Sequence, residues 1–197
     1  MKKKLINIIL VLFLLNGCVG ASSKGLFGTG VSIALDPRTL GTQIDDGIMD
    51  KNLDAKLLIM NKNYLIGIDT QVLDGRIFIT GKVEDPEEKL KITKLAWETK
   101  GARSVKSAVA IKGETNFKGT AKDVLITSQL RTALIFNKLI KATNYNIDTI
   151  NGKTYIFGIS MSNDEKKEVI KEAKEVYGVK DIIPSIILVE DLSRSKN

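Results

Sequence analysis

Few residues in this chain are equipped for covalent or acid–base chemistry. Among its 197 residues there is no histidine and one cysteine, Cys18. That composition excludes Ser-His-Asp and Cys-His catalysis and every His-ligated metal site. It also excludes an internal disulfide and a paired-cysteine redox or metal motif. Asp45 and Asp46 stand together as a potential acid/base or metal-binding pair. A helix-start role is the stronger reading, because carboxylates favour the positive end of the helix dipole. Gly75, Gly81, Gly152 and Gly158 have the spacing of hairpins, not of a phosphate-cradling loop. The sequence predicts no enzyme and no cofactor.

The one reactive side chain sits in an informative place. Lys2, Lys3 and Lys4 precede an apolar run from Leu5 to Leu15 that only Asn7 interrupts, and Asn16-Gly17-Cys18 follows. The run is too short for the roughly 20 residues that span a bilayer as a helix. It has the size of a signal-peptide core. Leu15-Asn16-Gly17-Cys18 resembles a bacterial lipobox. The resemblance implies cleavage before Cys18, a diacylglycerol on its thiol and an acyl chain on its amine. Several chains on one residue anchor firmly, unlike a single one. The other reading is an ordinary secreted protein with an incidental cysteine. By the sorting rule of enterobacterial lipoproteins, Val19 instead of Asp after the cysteine implies the outer membrane, with the chain facing the periplasm. Loss of the three leading lysines lowers the formal charge of +7 by three. The remainder is too modest to predict a nucleic-acid partner.

Behind the signal, the chain repeats itself. A shift of 77 residues places Asp46 on Asp123, Leu53 on Leu130, Leu57 on Leu134, Gly75 on Gly152, Ile79 on Ile156 and Gly81 on Gly158. It also places Glu88-Lys89 on Glu165-Lys166, Ala96 on Ala173 and Gly101 on Gly178. Such self-similarity marks two copies of one structural unit. The expected layout is a signal peptide over 1–17, a lipidated terminus and linker over 18–42, a first domain over 43–112, a short linker over 113–119, a second domain over 120–191 and a tail over 192–197.

Each copy carries the same signals in the same order. An apolar-periodic helix is expected over Gln43 to Met60 and over Asp123 to Leu139, with Asp123 as the N-cap. Alternating strands then flank Asp74-Gly75 and Asn151-Gly152, the residue pairs that suit a tight type I′ turn. A second helix is expected over 86–100 and 163–177, closed by Gly101 and Gly178. Pro86 suits its first turn. Its core face reads Ile92, Leu95, Ala96 and Thr99 in one copy, and Val169, Ala173, Val176 and Tyr177 in the other. Trp97 reads as partial core. A last strand runs from Ser104 to Ile111 and from Lys180 to Val189. The fold class is α+β: two tandem αββαβ domains, each with two helices on one face of a small three-stranded mixed sheet.

This order of elements and glycines resembles the BON domain of bacterial envelope proteins. Two copies behind a lipobox are similar to the dual-BON outer-membrane lipoproteins. The run Asp36-Pro37-Arg38-Thr39-Leu40-Gly41-Thr42-Gln43-Ile44-Asp45-Asp46 matches the Asp-x-Arg-x-x-Gly-Thr-Gln-x-Asp-Asp pattern ahead of their first domain. The resemblance implies binding of phospholipid, often anionic, a role in outer-membrane integrity, no catalysis, and association with outer-membrane assembly machinery.

The candidate lipid surface lies on the first helix of the second copy. At 100° per residue, Ile126, Leu130, Ala133 and Leu134 form a core stripe, while Leu125, Thr132, Phe136 and Leu139 form a second stripe that one core does not need. Arg131 and Lys138 lie beside it, with Lys122 on the other side. Apolar residues edged with basic ones suit insertion among anionic headgroups. Packing against the other domain or the linker is the competing explanation. In the first copy, Ile48, Ile59 and Lys62 mark a shorter, less apolar stripe. The resemblance also points to the second copy's first helix.

Overall fold

The computed structural model describes residues 36–113 and 117–193. The lipobox and Cys18 fall outside the described residues. All described residues belong to one compact unit.

In the first half, α1 (Leu40–Met60) starts behind Thr39, whose side chain accepts from the Thr42 N–H. A one-turn helix α2 (Tyr64–Gly67) leads into β1 (Ile68–Leu73) and β2 (Arg76–Val83). Between the strands Asp74 and Gly75 have φ of 53° and 71°, the two positive values that a type I′ turn needs. Helix α3 (Pro86–Trp97) begins with proline behind the Asp85 cap, and β3 (Ser104–Ile111) returns parallel to β2. The second half repeats this with α4 (Phe117–Phe136), β4 (Tyr145–Ile150), β5 (Lys153–Ser160), α5 (Asn163–Glu175) and β6 (Asp181–Leu188). Each sheet has its hairpin strand antiparallel and its last strand parallel, with β2 or β5 in the middle.

The repeated identities have physical roles. Glu88 and Glu165 each follow a helix cap by three residues and reach back to the N–H one residue before it, on Glu84 at 2.9 Å and Met161 at 2.7 Å. This is a variant of the capping box. Gly81 and Gly158 leave room for backbone: a Cβ would stand 2.1 Å from the Gly67 oxygen in one case and 2.5 Å from the Asn144 oxygen in the other. Leu53, Leu57, Ile77, Ile79, Ile92 and Ala96 fill the first core. Leu130, Leu134, Ile147, Ile156, Val169 and Ala173 fill the second.

A third core joins the halves. Leu73, Phe78, Phe157, Ile159 and Ile187 project from the sheet faces away from the helices. The rings of Phe78 and Phe157 lie 4.5 Å apart between centroids. The sheets therefore stack face to face, with one helix layer on each outer side. The stacking runs head to tail. The hairpin end of the first half meets the far end of the second, where Ser193 N–H donates to Asp74 at 3.2 Å and Arg76 Nη2 to the Asp191 carbonyl at 3.4 Å. At the other end Lys82 Nζ donates to Thr120 Oγ1 at 3.3 Å.

Several expectations change here. Both first helices begin earlier than their apolar periodicity suggests, so Leu40 and Gly41 are helical and Asp123 lies inside α4. Asp123 is therefore not an N-cap; its carboxylate accepts from the N–H groups of Asn151 and Gly152 at 2.8 and 2.9 Å. Asp46 does the same for Asp74 and Gly75, and it also pairs with Arg38 at 2.5 Å. Tyr177 is exposed instead of core, because α5 ends at Glu175, and the Lys122 ammonium sits 6.0 Å from its ring centre. Trp97 is 55% exposed on the outer side of α3.

Candidate membrane-binding surface

Helix α4 is held in one rotation. Ile126, Leu130 and Leu134 recur every four residues and are buried. Asp123, one turn earlier on the same side, is pinned by the hairpin turn. Thr127 adds a hydrogen bond to Thr149 at 2.9 Å. What remains is an outer face with Val124, Leu125, Ser128, Thr132, Ile135 and Phe136. Leu125 is 57% exposed and Phe136 is 79% exposed. The other half of the protein does not cover this face, because the halves meet through their sheets.

The polar groups on this face are already satisfied. Ser128 Oγ donates to the Val124 carbonyl and Thr132 Oγ1 to the Ser128 carbonyl, each at 2.9 Å. Such back-bonding uses the hydroxyl donors inside the helix. They then bring a smaller penalty into a poorly hydrated environment. From Val124 to Asn137 the one charged residue is Arg131, and its Nη2 donates to the Ile147 carbonyl on the edge of β4 at 2.9 Å. Arg131 therefore lies alongside the sheet edge at the margin of the stripe.

Past the helix end, Leu139 is 72% exposed. It stands on a tightly tied turn. Asn137 Nδ2 donates to Glu172 at 2.6 Å, and Asn137 Oδ1 accepts from the Leu139 N–H at 3.0 Å. Ile140 is buried, and the Lys141 N–H donates to Glu165 at 2.8 Å. Leu139 and its exposed neighbour Lys138 thus project from a braced point, with exposed Lys141 close by. Leu125, Thr132 and Phe136 share the exposed side of α4, Leu139 is exposed on the turn after it, and the exposed Lys122, Lys138 and Lys141 flank them along the chain. Among the described residues no helix is long and apolar enough to cross a membrane, and no cluster of His, Cys, Asp or Glu is arranged to hold a metal ion.

One exposed region is only partly evident from the sequence pattern. In the first half Leu58, Ile59, Met60, Leu65 and Ile66 are all exposed, with Ile59 at 86% and Ile66 at 94%. Ile59 corresponds to Phe136 under the 77-residue shift, and Leu58 to Ile135. The signal for these two lies in that alignment. Helix α2, which carries Leu65 and Ile66, has no signal of its own.

Two αββαβ units, each with a helix acid clasping a type I′ turn, define the class of protein. The family model of the BON domain matches residues 46–113 and 122–190, and the chain belongs to that family. Among its relatives, a protein of the gshII 5′ region of Anaplasma centrale is 34% identical over 142 residues, covering 68% of this chain and 94% of that one. The outer membrane lipoprotein DolP of Haemophilus influenzae is 26% identical over 185 residues, covering 92% of this chain and 93% of that one. The osmotically-inducible protein Y of Escherichia coli is 22% identical over 145 residues, covering 73% and 72%.

Proposed function

We propose that this is a lipid-anchored envelope protein of the outer membrane that binds anionic phospholipid and supports membrane integrity without catalysis. In this reading Cys18 carries the acyl anchor and the domains face the periplasm. The outer side of α4 rests among the headgroups. The observation that carries the reading is the exposed side of α4 with Leu125, Thr132 and Phe136, continued by Leu139 on the braced turn after it and flanked along the chain by lysines. Apolar area supplies the insertion energy, at about 25 cal/mol per Å² buried. The lysines add about 1 kcal/mol each near an anionic surface. The similarity to an outer membrane lipoprotein along nearly the whole chain supports the location.

The test is flotation of residues 19–197, which lack the anchor, with vesicles containing phosphatidylglycerol and with zwitterionic controls. The expected result is flotation with the anionic vesicles that weakens as salt rises. The double variant Leu125→Glu with Phe136→Glu should lose tenfold or more of this binding and keep its melting temperature, since both side chains are exposed. Equal flotation by the variant would refute the surface. Complete absence of flotation would leave the alternative: an adaptor tethered by Cys18 whose exposed faces contact envelope assembly machinery.

A further inference from the structure

The exposed end of the first half has the same ingredients as the lipid face of the second. Ile59 lies in the last turn of α1 and Ile66 on α2, just past the link through Asn61 and Asn63, and both are almost wholly in solvent. Leu58, Met60 and Leu65 extend the patch. Lys56 and Lys62 are exposed beside it. Of the acids at this end, Glu84 and Glu87 pair with Lys112 and Lys91 at 2.7 and 2.8 Å, while the carboxylates of Glu88 and Asp85 accept from the Tyr64 hydroxyl at 2.7 Å and the Glu88 N–H at 2.9 Å. The patch is a convex end, where large apolar side chains project outward between ammonium groups. That chemistry matches an anionic lipid surface, which accepts convex apolar wedges and attracts cations.

Its direction matters as much as its composition. The sheets stack head to tail, so Lys82, just behind α2, meets Thr120 at the start of α4, while Asp74, at the far end, meets Ser193. The end bearing Ile59 and Ile66 therefore lies opposite the end bearing Phe136 and Leu139. The two are separated by about one strand length, roughly 25 Å for eight residues. Helices α1 and α4 also occupy opposite outer sides of the stacked sheets.

We propose that the Ile59–Ile66 end is a second anionic-lipid contact and that one chain engages two lipid surfaces at once, one through each domain. This rests on the lipid reading of α4 and adds a tethering activity to it. A single flat bilayer cannot receive both ends of the head-to-tail pair, so each end takes its own surface.

The experiment mixes residues 19–197 with phosphatidylglycerol-containing vesicles and follows clustering by light scattering, with flotation measured in parallel. The form over 19–197 retains every residue of the three cores described above. The native sequence should cluster vesicles. Ile59→Glu with Ile66→Glu should still float but lose clustering by tenfold or more. Lys56→Glu, which reverses a charge at the edge of the same patch, should lose a smaller part of it. Flotation of the native chain without clustering would overturn tethering and leave the α4 reading intact. No flotation at all would overturn both. Clustering that survives Ile59→Glu with Ile66→Glu would overturn the assignment to this end. A dimer in solution, broken by the same pair of substitutions, would assign the patch to a second copy of the chain and overturn the proposal.

Discussion

Asp46 accepts the backbone N–H of Asp74 at 2.6 Å across 28 residues of sequence, and the N–H of Gly75 at 2.8 Å. The same clasp recurs between Asp123 and the turn at Asn151 and Gly152. A type I′ turn leaves its N–H groups pointing outward, and here a buried helix carboxylate satisfies them. The clasp fixes the helix against the hairpin and thereby decides which side of the helix is left outside. The two copies then diverge. Asp46 also pairs with Arg38, while Asp74 in the turn binds Arg76, Arg103 and Ser193 of the second half.

The clasp predicts unequal costs. Asp123→Ala removes the carboxylate that accepts from the buried Gly152 N–H and the partly buried Asn151 N–H, and should destabilise the protein by about 2 kcal/mol. Asp46→Ala does the same to the turn at Asp74 and Gly75 and also removes one partner of the mostly buried Arg38, so about 3 kcal/mol is expected. Urea unfolding monitored by circular dichroism measures both. Equal losses would show that Arg38 adds nothing.

Glycines should separate by environment. Gly81→Ala puts a Cβ 2.1 Å from the Gly67 oxygen, at a φ of +132°. A loss of about 3 kcal/mol is expected from such overpacking. Gly47, inside α1, has nothing within 4 Å of its would-be Cβ. Gly47→Ala should stabilise by about 0.8 kcal/mol through helix propensity. Melting temperatures that move in the same direction would contradict this.

The junction between the sheets should respond to pH. Burial raises the pKa of Asp148; nearby Asp69 raises it further, while the Thr80 hydroxyl and Arg131 work against the shift. A carboxyl raised in the folded state favours folding while protonated. That contribution is present below the ordinary carboxylate pKa of about 3.9 and is lost as pH rises through the raised value. Asp148→Asn should therefore gain stability over the native chain at neutral pH, and the two unfolding curves should converge near an ordinary carboxylate pKa, about pH 4. An offset that stays constant with pH would refute this account.

The parts of the fold that rest on local chemistry were legible in the sequence. Asp-Gly and Asn-Gly turns, the Pro86 and Gly101 boundaries and the 77-residue repeat lead directly to two three-stranded sheets with helices on one face. The parts that depend on partners distant in sequence were not. Asp46 and Asp123 look like helix-start acids until the turns they hold are brought against them. The stacking of the sheets was not among the expectations, although the pattern holds a trace of it. Ile77-Phe78-Ile79 and Ile156-Phe157 are apolar without alternation, which signals burial on both faces. The exposure of Leu125, Thr132, Phe136 and Leu139 was legible because α4 is apolar on two sides, and a single core occupies only one. Leu65 and Ile66 were not, because their exposure depends on a one-turn helix too short to show periodicity.

The central claim is that the outer side of α4 enters lipid, and a label placed there tests it most directly. Cys18 is the sole cysteine, so a form beginning at residue 19 accepts a single new one. Thr132→Cys and Leu139→Cys, each carrying an environment-sensitive fluorophore, leave Leu125 and Phe136 in place. Trp97→Cys, exposed on the outer side of α3 across the stacked sheets from α4, serves as the control. On addition of phosphatidylglycerol-containing vesicles, the labels at 132 and 139 should shift to the blue and become shielded from an aqueous quencher, while the control stays unchanged. Unchanged emission at both positions in protein that floats with the vesicles would contradict the claim.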